Sequence, residues 1–104
     1  MSKITMGILK ECAPIFSMLQ DERRQEILIM LFENGEMDVS SITEKSSISR
    51  PAVSHHLRLL LDAGLVDVRQ EGKERIYKLN LQNSLKQLKR LVSSIENDLK
   101  ERQY

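Results

Sequence analysis

The sequence predicts a mainly helical chain interrupted by one β-hairpin, and three observations carry that prediction. Apolar residues recur at three- and four-residue steps along most of the 104 residues, the step shortens to two only between residues 65 and 80, and Asp21, Ser49, Gly35 and Gly64 stand where helices should start or stop. A chain of this length is the size of one compact domain, so residues 1–104 are expected to form a single unit. With 40% hydrophobic and 30% charged residues it is too apolar for disorder throughout, and no apolar run approaches the ~20 residues that cross a bilayer. The start of the chain lacks a secretory signal and there is one cysteine, which together predict a cytoplasmic protein without a disulfide framework and without a membrane partner.

Residues 1–20 read as an N-terminal helical segment, with Ile4, Ile8, Cys12, Ile15, Phe16 and Leu19 at helical spacing. Pro14 has no N–H to bond back to Lys10, so the segment should kink there or a fresh helix should begin. Asp21 reads as the cap of a helix from Glu22 to about Glu33, stopped by Asn34-Gly35. Ile27, Leu28, Met30, Leu31 and Phe32 leave that helix little polar face, which predicts a central place in the core.

Residues 38–64 hold two helices joined tightly. Ser40 to Ser46 supports about two turns, with Ser41 and Glu44 spaced as a capping box and Val39 and Ile42 facing inward. After the Ser46–Ser49 turn, Ser49 caps a longer helix with Pro51 in its first turn, where a missing N–H costs little, and Gly64 ends it. Short helix, turn, longer helix is a helix-turn-helix. Residues 65–80 then read as a hairpin turning at Gly72, a wing beside the two helices. In residues 81–103, Leu81, Leu85, Leu88, Val92, Ile95 and Leu99 form an a/d seam, the stripe of a helix that pairs with another, and hence the expected dimer interface.

Charge divides the chain. Residues 1–44 carry four Lys/Arg against eight Asp/Glu, residues 45–104 carry twelve against seven, and no acid occurs between Glu44 and Asp62. The basic portion is the one that would face a polyanion. On the longer helix, Val53, Leu57 and Leu60 share the buried stripe, while Pro51, His55, Arg58 and Asp62 lie opposite, with Ser54 and Arg50 beside them near the N-terminal end. Short hydrogen-bonding side chains and cations at an acid-free helix start are what entry into a DNA major groove requires. Arg69, Lys73, Arg75 and Lys78 add cations to the hairpin, near phosphates or a minor-groove flank. Each piece alone is compatible with a solvated surface; their order in the chain points to DNA.

Residues about 16 to 80 resemble the winged helix-turn-helix of ArsR-type bacterial transcriptional repressors. The resemblance rests on Phe16 through Leu28, on Ile48-Ser49-Arg50-Pro51-Ala52-Val53-Ser54-His55-His56-Leu57, on Ala63-Gly64-Leu65-Val66 and on Gly72 through Tyr77. It implies a homodimer held by the first and last helices that binds an imperfect palindrome in double-stranded DNA. It also implies DNA contact at Ser49, Arg50, Ser54 and His55, with Lys73 and Arg75 of the wing on the backbone.

The chain departs from the family's metal-sensing members. Where they carry Cys-x-Cys this sequence has Asp38-Val39-Ser40, and at the positions of their last-helix ligands it has Leu81, Asn83, Ser94 and Asn97. No metal and no cofactor are therefore expected, and the inducer is unknown. His55 and His56 are adjacent, point about 100° apart and share one ion poorly; His55 should face DNA and His56 should flank the core. Cys12 shares a stripe with Ile8 and Ile15, which suits a buried small hydrophobe, with a thiol sensor as the alternative. No glycine-rich phosphate loop or clustered reactive set suggests an enzyme. The expected function is a homodimeric, sequence-specific transcriptional repressor, against the alternative of a protein-interaction adaptor using the last helix.

Overall fold

A computed structural model describes residues 1–102. The elements run α1 (Lys3–Leu19), α2 (Glu22–Asn34), β1 (Glu36–Asp38), α3 (Val39–Lys45), α4 (Arg50–Asp62), β2 (Val66–Glu71), β3 (Glu74–Leu79) and α5 (Gln82–Glu101). The expected continuation of the last helix to residue 103 lies outside the described residues.

Local chemistry sets most boundaries. The Asp21 carboxylate accepts from the Arg23 and Arg24 amides at 2.8 and 3.2 Å and opens α2, and the Ser49 hydroxyl accepts from Ala52 N–H at 3.4 Å and opens α4. At the end of α4, Gly64 N–H bonds to Leu61 and Leu65 N–H to Leu60, each at 3.0 Å, with Gly64 at φ +77°. This left-handed closure puts Leu65 back over Leu60, both of them buried, and sends the chain into β2.

The main core gathers one face of each element from α2 to β3. Ile27, Leu31, Ile42, Val53, Leu57 and Leu60 are at most 1% exposed, and Val66 and Tyr77 cover them from the sheet. Each such side chain contributes about 1.5–3 kcal/mol by leaving water. The sheet has three antiparallel strands in the order β1-β3-β2. Val68 pairs with Tyr77 and Val66 with Leu79 on its inner face. The hairpin turns at Gly72, whose φ of +62° suits a residue without a Cβ.

A second core joins the chain ends: Ile8 and Cys12 of α1 pack on Leu91 of α5, with Leu88 and Ile95 at its edge. Beside it, Asp98 accepts from Ser2 N–H at 3.0 Å and from the Thr5 hydroxyl at 2.7 Å, and Thr5 also bonds Ser94. Thr5 is fully buried, so these bonds satisfy a group whose desolvation would otherwise oppose folding.

Several expectations change. Residues 3–19 form one helix through Pro14, so no new helix begins there; Cys12 and Ile15 are buried on either side of the proline, and Cys12 packs on Leu91 of α5. Phe32 is not core: it is 78% exposed, because α2 buries only Ile27, Met30 and Leu31. The capping box is also displaced, since Asp38 rather than Ser41 caps α3, its carboxylate accepting from Ser41 N–H at 2.9 Å. The seam of α5 divides, with Leu85, Val92 and Leu99 about half exposed and Leu91, absent from the a/d reading, buried against α1.

Candidate nucleic-acid interface

Every expected DNA-contacting residue is exposed, and the fold brings four of them from two distant segments into one cleft. This cleft of about 190 Å³ lies between the start of α4 and the wing, lined by Arg50 and Ser54 on one side and Lys73 and Arg75 on the other. Arg50 Nη1 donates to Ser40 Oγ of α3 at 2.7 Å, which fixes the guanidinium at the cleft wall. The floor includes Asp38, whose carboxyl is held below its ordinary range by hydrogen bonds from Ser41, so it remains an anionic helix cap.

The remaining residues flank this cleft unequally. Ser49 is engaged as the α4 cap, and the exposed His55 ring stands 5.5 Å from that of His56. Arg58 lies one turn further along α4 and meets Asp62 at 3.9 Å, with both side chains largely exposed, a contact weak enough to be exchanged for phosphate. Arg69 is not brought to the cleft. In the hairpin register it stands opposite Ile76, one step out of phase with Arg75, so it emerges on the opposite sheet face. There Glu36 and Glu71 hold it at 2.8 and 3.0 Å.

Two further residues stand beside the expected ones. Gln70 pairs with Arg75 and shares its sheet face, a placement the two-residue strand period would have revealed. Ser40 reaches Arg50 only because α3 crosses α4, and no local signal announces that.

His56 has a structural place. Arg24 donates to the carbonyls of Met18 and Ser17 at 3.1 and 3.2 Å and approaches His56 Nδ1 at 3.4 Å, pinning α4 to the α1–α2 junction. Burial lowers the His56 pKa, and the neutral ring is the form that accepts from a guanidinium. Cys12 is fully buried, with Sγ 3.6 Å from the Gln87 carbonyl. Asp38 caps α3 and Ser94 bonds Thr5.

A helix-turn-helix with a β-wing, and between them a cleft whose lining sets Arg50, Lys73 and Arg75 beside Asp38 and Glu74, defines a winged-helix DNA-binding protein. The chain belongs to the ArsR family: residues 21–68 match the family described as "Bacterial regulatory protein, arsR family". It is 33% identical over 88 residues to the transcriptional repressor SdpR of Bacillus subtilis, covering 82% of this chain and 97% of that one. An ArsR-like transcriptional regulator from Rhodococcus sp. RHA1 superposes with a TM-score of 0.79 at 31% identity, over 93% of this chain and 87% of the other. A winged helix-turn-helix domain from Mycobacterium bovis, described as homodimeric and DNA-binding, superposes with a TM-score of 0.69 at 25% identity, over 98% and 93%. The chain is accordingly a DNA-binding transcriptional regulator rather than an enzyme. Among the described residues, no helix is long and apolar enough to cross a membrane.

Proposed function

We propose that this chain is a cytoplasmic, homodimeric repressor that binds an imperfect palindrome with one α4 in each of two major grooves and is released by a signal other than a metal ion. The cleft that unites Arg50 and Ser54 with Lys73 and Arg75 carries the reading of the interface. Arg50, Ser54 and His55 meet base edges, Ser49 and Arg58 lie at the groove margins, and Lys73 and Arg75 meet phosphate. Arg69 is a peripheral contact, because it must leave two carboxylates to reach DNA. The single domain comprises residues 1–104, with 38–64 reading DNA, 65–80 as the wing and 81–103 joining the subunits.

The exposed stripe of Leu85, Val92 and Leu99 supports dimerisation, as does the homodimer described for the Mycobacterium bovis relative. Against metal control stands the donor set: Asp38 and Ser94 are committed to protein hydrogen bonds, and Ser40, Leu81, Asn83 and Asn97 are not zinc donors of the usual kind.

Footprinting on DNA selected from genomic fragments tests this proposal. Two protected half-sites related by a twofold, one helical turn apart, are expected. Protection of a single half-site, or binding to no fragment, would reject it and favour the adaptor alternative.

A further inference from the structure

The two cores share no residue. The main one contains the buried stripe of α4, whereas Ile8, Cys12 and Leu91 form the other between α1 and α5. The chain crosses between them twice, at Gln20-Asp21 and at Asn80-Leu81, and Met18 and Leu81 reach the main core beside these crossings. Along part of the boundary, Ile15 and Leu19 of α1, Ile29 and Phe32 of α2 and Leu85 of α5 wall an open groove of about 280 Å³, so side-chain packing does not fill it.

Arg24 bridges this boundary. It stands partly buried in the first turn of α2, and its guanidinium meets three groups from two other helices. Nε donates to the Met18 carbonyl at 3.1 Å and Nη2 to the Ser17 carbonyl at 3.2 Å, while Nη1 stands 3.4 Å from His56 Nδ1 in the middle of α4. α1 has no basic residue in its own last turn, so a cation from α2 serves the carbonyls that its end leaves open. Gln25 adds a donation to the Leu19 carbonyl at 2.6 Å. Around His56 lie Asp21, Arg23, Arg24 and His55; burial lowers its pKa, which keeps the ring neutral and able to accept.

We propose that Arg24 is a positioning residue for operator recognition, setting the angle between the two cores and through it the half-site spacing that the dimer accepts. The inference rests on the homodimer reading: where subunits join through one core and read DNA with the other, any change of angle at the boundary moves the two α4 helices relative to each other. One added base pair shifts a half-site by about 3.4 Å. A tilt of about 10° moves the end of a helix as long as α4, about 20 Å, by the same amount. A planar guanidinium with donors in fixed directions resists such tilting, because its bonds to α1 and its contact with α4 cannot all survive a rotation of one against the other. The second half-site is then met at high effective concentration at one spacing only. α4 does not need this brace for its own fold, since Val53, Leu57 and Leu60 are fully buried.

The test measures fluorescence anisotropy of the full chain on an operator recovered from genomic fragments, on versions with two base pairs inserted or removed between the half-sites, and on a duplex carrying one half-site. Wild type should prefer its own spacing by at least about tenfold. Arg24→Lys keeps the charge but not the fork, and His56→Leu removes the acceptor on α4; each should reduce that preference to about threefold or less, with half-site affinity and circular dichroism unchanged. His56→Asn, whose side-chain oxygen can stand where Nδ1 does, should restore it. Sedimentation equilibrium of the same samples separates the two readings. A monomeric wild type at micromolar concentration defeats the homodimer reading and this inference together. A dimeric wild type whose spacing preference persists in His56→Leu and Arg24→Lys defeats the inference alone. Loss of half-site affinity equal to the loss on the full operator would also overturn it, because Arg24 would then act on α4 itself and not on spacing.

Discussion

Replacing Arg50 and Lys73 separately should divide the interface into base reading and phosphate attraction. A bidentate arginine–guanine pair is worth about 1–3 kcal/mol. The free protein already satisfies part of the Arg50 guanidinium through Ser40, a bond worth about 1 kcal/mol that must be surrendered on binding. About 0–2 kcal/mol per half-site remains, so Arg50→Ala in a dimer should weaken operator binding by up to roughly 700-fold. One base position per half-site should lose its preference. Lys73 at the wing turn should meet phosphate only, and Lys73→Ala removes two such contacts per dimer, lowering the slope of log affinity against log salt by about 1.8. Fluorescence anisotropy on a labelled operator, with each base replaced in turn and repeated across a salt series, measures both effects. A uniform loss over all bases with an equal change of salt slope in both variants would refute the division.

Val92→Asp should yield folded monomers in sedimentation experiments, whereas Leu88→Asp with Ile95→Asp should unfold the chain, because those two also pack on the α1–α5 core. Zinc, cadmium, copper and arsenite, titrated into an operator complex of the reduced protein, should leave it bound; reversible, chelator-sensitive release would contradict this, and its loss in Cys12→Ser would locate the site at the thiol. His56 has a lowered pKa in the folded chain, so the unfolded chain takes up the proton first and stability should decline as pH falls below about 6.5. His56→Gln should flatten that part of a denaturant midpoint series. Asp98 has a lowered pKa from Ser2 N–H and the Thr5 hydroxyl, so its stabilisation is present above the ordinary carboxylate pKa and is lost as pH falls through the folded one. The stability difference between wild type and Asp98→Asn should therefore be constant from pH 7 to about 5 and shrink below about pH 4.

Features that depend on neighbouring residues were legible in the sequence. Asp21 and Ser49 cap helices by reaching amides two or three residues ahead, and Gly64 and Gly72 turn the chain where a Cβ would strain it. The buried stripe of α4 follows from helical geometry alone, so its outward residues were identifiable as well. β1 was not legible, because three residues have no period and become a strand only when β3 offers hydrogen bonds to them. Asp38 was open to reading, since an aspartate before Val39 is a sound helix cap, but the serine–glutamate pair further on matched a familiar motif.

The amino-acid sequence by itself determined the order of helices and hairpin, the caps that bound them and the cationic residues available to DNA, because these depend on interactions within a few residues or on one helical face. The tertiary structure alone decided which of those cations act together. Arg50 and Arg75 meet across a cleft while Arg69 is drawn to Glu36 on the far face of the sheet, and Leu91 is buried while Val92 is left exposed. Such outcomes depend on which surfaces distant segments present to one another, and a one-dimensional pattern does not contain that relation.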